Sequence, residues 1–247
     1  MGKTTFRGPL YAGGGFRSAH GVTEFYDDFH GFDTAYPATA ESGVPWITKI
    51  VGAAPPTVAK KADTANGVLE CALTNASQKQ NASLYFGDQR TFLITRPGIF
   101  EAKFSPTVLA TDVAEMVIGL VGDWVDGIDS ATYSVFFTMD GGGLITCEMD
   151  DNATDRSTSS GVTLTAGQSI IGRIDFTDIS DVKFYLSDVN PTGTNPVMHR
   201  VAASTTFAYA ATGANATLQP IVECYKASGT GVGTLQVDYV FIQFARQ

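Results

Sequence analysis

The sequence predicts an all-β protein, an antiparallel β-sandwich preceded by an extended N-terminal arm. Three observations favour this fold class. Short apolar or alternating segments recur at intervals of roughly ten residues, separated by turn signals. Charged residues make up only 17% of the chain, while Gly, Ser, Thr and Ala are abundant. Helical periodicity does not extend over ten residues anywhere, so packed antiparallel sheets are expected.

The body is expected to form one domain. At 247 residues, 44% of them hydrophobic, the chain has ample material for a single sandwich core. We assign residues 1–21 to the arm and residues 22–247 to the domain. Predicted strands cover residues 22–29, 46–51, 68–73, 83–86, 91–95, 99–104, 115–121, 132–139, 143–149, 170–176, 182–186, 218–225 and 235–244.

Local patterns support these strands. Alternation is clearest in residues 182–186 (VKFYL), where Val, Phe and Leu share one face of a strand. The Asp140-Gly141-Gly142 sequence predicts a tight hairpin between two strands, since glycine tolerates the positive φ of such turns. Residues 150–161 and 187–203 are interpreted as exposed loops, and residues 108–116 as at most one turn of helix.

Charge divides the chain into two unlike parts. Residues 1–21 contain three cations, Lys3, Arg7 and Arg17, and no acid. Subtracting their charge from the net −9 leaves −12 on residues 22–247. A body this acidic repels phosphate, so nucleic acid is not expected as a partner. No apolar run is long enough for a membrane helix, and a membrane partner is not expected either.

The three cysteines, Cys71, Cys147 and Cys224, are widely spaced and lie in apolar or alternating segments. We interpret them as buried free thiols rather than as a disulfide framework. Such usage fits a protein that folds in a reducing cytoplasm.

Familiar catalytic motifs are incomplete in this sequence. The Gly2-Lys3-Thr4 sequence lacks the preceding glycine and strand of a phosphate-binding loop. The three histidines are far apart, and the sequence has no Gly-x-Ser-x-Gly elbow. We therefore predict no catalytic residue, no cofactor and no enzyme activity.

Two acidic clusters leave alternatives open. Asp123, Asp126 and Asp129 are weak candidates for a calcium site, although they lack the spacing of the EF-hand loop. The alternative is a solvated loop with Asp-Gly turn chemistry. Trp124, in the same loop, is either a platform for stacking sugars or a partly buried anchor, whereas Trp46 is expected in the core.

The second cluster is Glu148, Asp150 and Asp151 in the sequence CEMDD. Alternation places Glu148 and Asp150 on one face of a strand, and a retaining glycosidase needs two carboxylates on one face. This spacing partly resembles the Glu-x-Asp-x-Glu strand of laminarinase-like glycoside hydrolases, which have a concanavalin-like jelly roll. The match departs at Asn152, where the third acid is expected.

The body resembles a concanavalin A-like jelly roll. The resemblance rests on Tyr26-Asp27-Asp28-Phe29, the strand with Trp46, residues 100–104 (FEAKF) and residues 235–242 (LQVDYVFI). It implies that the last strand returns beside the first.

The N-terminus is similar to another group. Residues 4–10 (TTFRGPL), followed by Gly15-Phe16, are similar to the Thr-Thr-Phe-Ser-Gly-Pro start of small structural proteins of tailed bacteriophages, departing at Arg7. This resemblance implies a non-enzymatic decoration or cement protein, made in the host cytoplasm and located on the capsid surface of the virion. Its partner would be the major capsid protein, and a homo-oligomer, favoured as a trimer, would suit the capsid threefold positions.

In that interpretation the arm docks on a neighbouring subunit. Its apolar side chains would enter pockets while its cations pair with acids. The residues concerned are Lys3, Phe6, Arg7, Leu10, Tyr11, Phe16 and Arg17. The alternative function is a carbohydrate-binding or glycan-cleaving jelly roll associated with a tail or fibre, with a glycan as its partner.

Overall fold

Two antiparallel sheets packed face to face form the body, which confirms the predicted sandwich. The computed structural model describes residues 15–19, 21–30, 36–39, 44–61, 64, 67–193 and 195–246. Its strands in chain order are β1 (Gly15–Ala19), β2 (Val22–Asp27), β3 (Ile47–Val51), β4 (Thr57–Lys60), β5 (Leu69–Ala72), β6 (Gln80–Tyr85), β7 (Phe92–Leu93), β8 (Gly98–Val108), β9 (Ala114–Val121), β10 (Ser134–Met139), β11 (Leu144–Asp150), β12 (Asp155–Thr163), β13 (Ile170–Asp175), β14 (Lys183–Ser187), β15 (Met198–Val201), β16 (Thr217–Lys226) and β17 (Thr234–Ala245).

Sheet I has the strand order β1-β2-β17-β8-β13-β14-β15, with β5 paired to β17 and β4 paired to β5. Sheet II has the order β12-β11-β10-β9-β16-β6-β3, with β7 paired to β16. The last strand, β17, lies beside β2. Two short 3-10 helices, Ile128–Ser130 and Gly213–Ala216, lie in the connections.

The core lies between the sheets and is rich in aromatic side chains. Phe25 contacts Trp46 and Phe86 edge to face, with ring centroids 5.6 and 5.1 Å apart. A second group joins Phe137, Phe184 and the more distant Phe207. Each fully buried side chain of this size contributes about 1.5–3 kcal/mol through burial. Trp46 is in the core as predicted, and the three cysteines are buried free thiols.

Four strands of the structure were not predicted as strands. The predicted loop 150–161 is wrong because β12 occupies most of it, and the predicted loop 187–203 contains β15. Both are edge strands, so one side of each needs no partner and polar residues suffice. The edge strand β1 lies in residues assigned to the arm, and β4, which pairs with β5, lies in a segment for which no strand was predicted. No helix forms in residues 108–116, where β8 ends at Val108 and β9 begins at Ala114.

Two turns fix local register. The predicted hairpin joins β10 to β11, and Gly142 and Gly143 there have φ of 145° and 73°. Glycine adopts these angles without a Cβ clash. A second hairpin turns at Gly21 and pairs β1 with β2, so residues 15–19 of the predicted arm belong to sheet I.

Candidate functional site on the outer face of sheet II

The outer face of sheet II is the face turned away from sheet I. On β10 the inner residues Val135, Phe137 and Met139 are in the main core, which places the alternate residues outside. The outer face has two unlike halves. The polar half is carried by β11 and β12, with Thr138 of β10 at its border. The covered half is carried by β9, β16, β6 and β3 and includes Phe136 of β10, and residues 122–131 fold over it.

Glu148 and Asp150 lie side by side on the polar half. Their neighbours Cys147 and Met149 are fully buried in the core, so both carboxylates point outward, as predicted. Two residues along a strand correspond to about 7 Å. The Glu148 Oε1 atom accepts hydrogen bonds from Thr138 Oγ1 at 2.7 Å and Ser157 Oγ at 3.4 Å.

Asp150 has a raised pKa. Partial burial is the main cause, because it disfavours the charged form, and the negative charges of Asp155 and Asp151 act in the same direction. The backbone N–H of Asn152, which donates to Asp150 Oδ1 at 2.7 Å, opposes the shift. Asp150 therefore holds a proton to higher pH than an ordinary aspartate.

Residue 152, where the Glu-x-Asp-x-Glu pattern has its third acid, lies beyond the end of the strand. The strand β11 ends at Asp150, and Asn152 adopts a left-handed conformation with φ of 67°. Asparagine tolerates this conformation better than most residues. The chain has thus left the strand before residue 152, and β11 carries a pair of outward acids rather than the three of the Glu-x-Asp-x-Glu pattern.

The covered half is closed by residues 122–131. Ile128 and Ala131 are buried against an apolar group that includes Phe136 and Ile221. Trp124 is half-buried over Tyr85, with ring centroids 6.4 Å apart, and the Lys49 ammonium lies 5.0 Å from its ring. The interpretation of Trp124 as a partly buried loop anchor is confirmed.

Beneath Trp124 lies a buried carboxyl group, that of Glu223. Its Oε1 atom accepts from Asn81 Nδ2 at 3.0 Å, and its Oε2 atom accepts from Ser83 Oγ at 2.6 Å and Trp124 Nε1 at 3.1 Å. Burial raises the pKa of Glu223 to about 7, although these hydrogen bonds lower it. Sequence reasoning missed this group; the signal available was an acid in the middle of an apolar strand.

Glu223 and Glu148 share this face without forming a pair. They are on β16 and β11, and the order β11-β10-β9-β16 separates them by three strand spacings. At about 4.8 Å per spacing this distance is about 14 Å. The carboxylates of glycosidases are roughly 5 to 9.5 Å apart. The separation of Glu223 and Glu148 exceeds that range, whereas Glu148 and Asp150 are two residues apart on one strand.

The weak calcium candidates already have cationic neighbours. Asp123 pairs with Arg90 at 3.3 Å, and Asp126 pairs with Lys79 at 2.7 Å. The side chain of Asp129 lies outside the described residues. Among the side chains that the structure describes, no group of three acids, histidines or cysteines is placed to hold a metal.

The arm residues fall into two sets. Phe16 and Arg17 are in β1, opposite Phe25 and Glu24 of β2. Lys3, Phe6, Arg7, Leu10 and Tyr11 lie outside the described residues. Docking through the arm therefore stays a prediction, as do the major capsid protein partner and the trimer. No described helix is long and apolar enough to cross a membrane.

Comparison with known proteins places the fold among jelly-roll proteins that include glycosidases. No family model and no curated protein matches the chain. A protein of unknown function from Shewanella oneidensis MR-1 has a similar structure, with a TM-score of 0.62 and 14% identity over 93% of this chain and 90% of that chain. A beta-1,3-glucanase from Mycobacterium marinum has a TM-score of 0.52 and 14% identity over 88% and 97%. An immunostimulatory antigen and pseudo beta-1,3-glucanase of Mycobacterium tuberculosis has a TM-score of 0.54 and 13% identity over 90% and 98%.

These likenesses establish the jelly-roll fold and correct one prediction. The prediction that the protein is not an enzyme is wrong as an inference from its architecture, because a glucanase has the same fold. One of the similar proteins is a pseudo-enzyme, so the fold alone does not assign a reaction. The comparisons give no support to the predicted viral or capsid role.

Proposed function

We propose that this protein is glycan-active and binds a polysaccharide across the polar half of the outer face of sheet II. The observation that carries the proposal is the pair of outward carboxylates, Glu148 and Asp150, on adjacent outer positions of β11. The jelly-roll fold shared with a beta-1,3-glucanase supports the same substrate class. Fold alone would not be sufficient for this assignment.

The surroundings of the pair suit a carbohydrate. Sugar hydroxyls both donate and accept hydrogen bonds, and carboxylates are strong acceptors. Serine and threonine hydroxyls lie around the pair on the neighbouring strands. Ser157 is exposed on the edge strand β12 and Thr138 lies on β10, both within hydrogen-bonding distance of Glu148. A sugar unit on this surface would meet the two acids and the exposed Ser157 hydroxyl.

The two carboxylates also have different environments, as acid catalysis at a glycosidic bond requires. Asp150 retains its proton more readily, because burial and two neighbouring acids raise its pKa. Glu148 accepts a hydrogen bond from Thr138 Oγ1 at 2.7 Å. We assign proton donation to Asp150 and the role of the ionised partner to Glu148.

The test uses a soluble beta-1,3-glucan, laminarin, with alginate and cellulose oligomers as further probes. Binding is measured by calorimetry, and cleavage by release of reducing ends. We expect Glu148→Gln to weaken binding about tenfold, the loss of about 1.4 kcal/mol that one charge-assisted contact provides, and to abolish any cleavage. Asp150→Asn should leave binding largely intact and remove cleavage.

Glu24→Gln is the matched control, since Glu24 lies on sheet I and accepts a hydrogen bond from Gln243 Nε2 at 3.2 Å. It should bind and cleave as the wild-type protein does. Failure of all the probes to bind the wild-type protein, or equal loss in Glu24→Gln and Glu148→Gln, would refute the proposed site.

A further inference from the structure

Residues 123–127, here called the lid segment, cover the Glu223 side chain. Trp124 and Val125 pack, partly buried, against the apolar group of the covered half, and polar contacts hold the edges of the segment. The Trp124 backbone N–H donates to Asp88 Oδ1 at 2.7 Å, and the ion pairs of Asp123 and Asp126 join the segment to the sheet. The acids of these pairs are about half exposed, so each pair contributes little to stability. The residues after the segment are different, because Ile128 and Ala131 are buried and anchor the chain.

A glycine lies at each end of this segment. Gly127 has φ of 108°, a conformation that side-chain-bearing residues rarely adopt. Gly122 lies against Tyr133, whose side chain would be 3.1 Å from an added Cβ. Glycines at such positions can accommodate the backbone rotation that a short segment needs in order to move away from the sheet.

The polar cluster beneath the lid segment is incompletely satisfied. Glu223 is fully buried and accepts hydrogen bonds from the neutral donors Asn81, Ser83 and Trp124. The Oδ1 atom of Asn81 is buried and has no hydrogen-bond partner among the described residues. Water entering this cluster would hydrate the Glu223 carboxylate, whose charge is unfavourable when buried, and the Asn81 Oδ1 atom, which is unfavourable when buried and unpaired.

Charged and titratable groups face Glu223 from every element packed around it. The charge of Asp126, in the lid segment, disfavours ionisation of Glu223. Lys49 on β3 contacts the Trp124 ring, and Lys79 before β6 is paired with Asp126. The remaining described groups are Tyr85 on β6, Asp88 after β6, Glu115 on β9, Tyr225 on β16, and Asp123 in the lid segment. Lys49, Lys79 and Arg90 are thus engaged by Trp124, Asp126 and Asp123, whereas Glu223 accepts its hydrogen bonds from the neutral donors Asn81, Ser83 and Trp124.

We propose that the lid segment is a proton-controlled latch, closed while the Glu223 carboxyl is protonated and released when that carboxyl ionises. Release would uncover Ser83, Tyr85 and Glu223 beside the polar half of the same face. The consequence for glycan access rests on the proposed function, whereas the latch itself does not.

The direction of the pH effect follows from linkage. The pKa of Glu223 is about 7 with the lid segment closed, and we take its ordinary value of 4.5 for the hydrated, open state. Below the lower value both states are protonated and the closed state is fully favoured. Between the two values the opening equilibrium constant should rise tenfold per pH unit, up to about 300-fold, and above the higher value it should be constant.

The test measures hydrogen exchange of the Trp124 indole N–H by NMR, without any glycan. That proton donates to Glu223 and Ser83, so its protection reports closure directly. After correction for intrinsic exchange, we expect protection to fall by up to about 300-fold between pH 4.5 and 7. The Trp46 indole N–H, which donates to Asp27 Oδ2 at 2.8 Å in the core, is the internal reference.

Three variants make the test decisive. Glu223→Gln should abolish the pH dependence of protection. Ser83→Ala should extend the fall in protection to higher pH, because it removes a hydrogen-bond donor that favours the ionised form of Glu223. Asp123→Asn, which breaks the Arg90 pair, should lower protection equally at all pH values. The latch would be overturned if wild-type protection did not change with pH, or if a folded Glu223→Gln protein showed the same fall in protection as the wild type. If Glu223→Gln does not fold, a Ser83→Ala profile identical to that of the wild type would overturn it.

Discussion

Single buried polar residues determine much of how this sandwich closes. Lys226 is fully buried, and its ammonium group donates to the backbone carbonyls of Thr74, Ala76 and Gly231 at 2.7, 2.8 and 2.9 Å. One side chain therefore joins two loops that are far apart in the sequence. Burial lowers the pKa of Lys226, but the three carbonyl contacts compensate for much of the lost hydration.

We predict that Lys226→Met destabilises the protein by about 3 kcal/mol or more, since three buried carbonyl groups lose a charged donor. Chemical denaturation monitored by circular dichroism measures the free energy of unfolding. Lys61→Met, at an exposed position, is the matched control and should change it by less than about 0.5 kcal/mol. Equal effects of the two substitutions would show that the Lys226 contacts contribute nothing specific.

At the scale of elements, the central strands of sheet II are covered on both faces, unlike those of an exposed sheet. Every residue of β10 and of β6 is buried. Gly119 on β9 makes this possible beside Phe136, its cross-strand neighbour. A Cβ at Gly119 would lie 2.5 Å from the Cα and Cβ atoms of Phe136, so only glycine leaves room for that side chain under residues 122–131.

Gly119→Ala should therefore destabilise the protein by about 1–3 kcal/mol through overpacking between β9 and β10. The melting temperature and the near-ultraviolet circular dichroism of Trp124 and its aromatic neighbours would record the change. Gly141→Ala is the control, because an added Cβ there meets its nearest atom at 3.4 Å, an ordinary contact. An unchanged melting temperature in Gly119→Ala would contradict this account of the packing.

At the scale of the whole molecule, different roles are predicted for the acidic body and for the basic N-terminal arm. The strand β1 joins residues 15–19 to sheet I, so a truncation that tests the arm should stop at residue 14. The net charge of −12 on residues 22–247 favours solubility of free copies.

Removal of residues 1–14 should leave the thermal unfolding of the body unchanged. If the arm docks on a capsid, the full chain should cosediment with shells of the phage whose genome encodes it, and the truncated chain should not. Equal sedimentation of both chains would contradict docking through the arm, and the absence of binding by either would remove the capsid from consideration.

The sequence by itself determined the fold class and most of the strands. Alternation and turn residues are local signals, so segments such as residues 182–186 and the hairpin at residues 140–142 were correctly predicted. The same local signal placed Glu148 and Asp150 on one face of β11. Edge strands such as β12 escaped prediction because a strand with one free side can be polar.

Only the tertiary structure decided how the outer face of sheet II is used. Strand order separates Glu223 from Glu148 by three strands, and residues 122–131 fold over one half of the face. Neither relation has a local sequence signal, because both depend on pairings between segments about 100 residues apart. The burial that raises the pKa of Glu223 is likewise a property of the packed sheet and the loop above it.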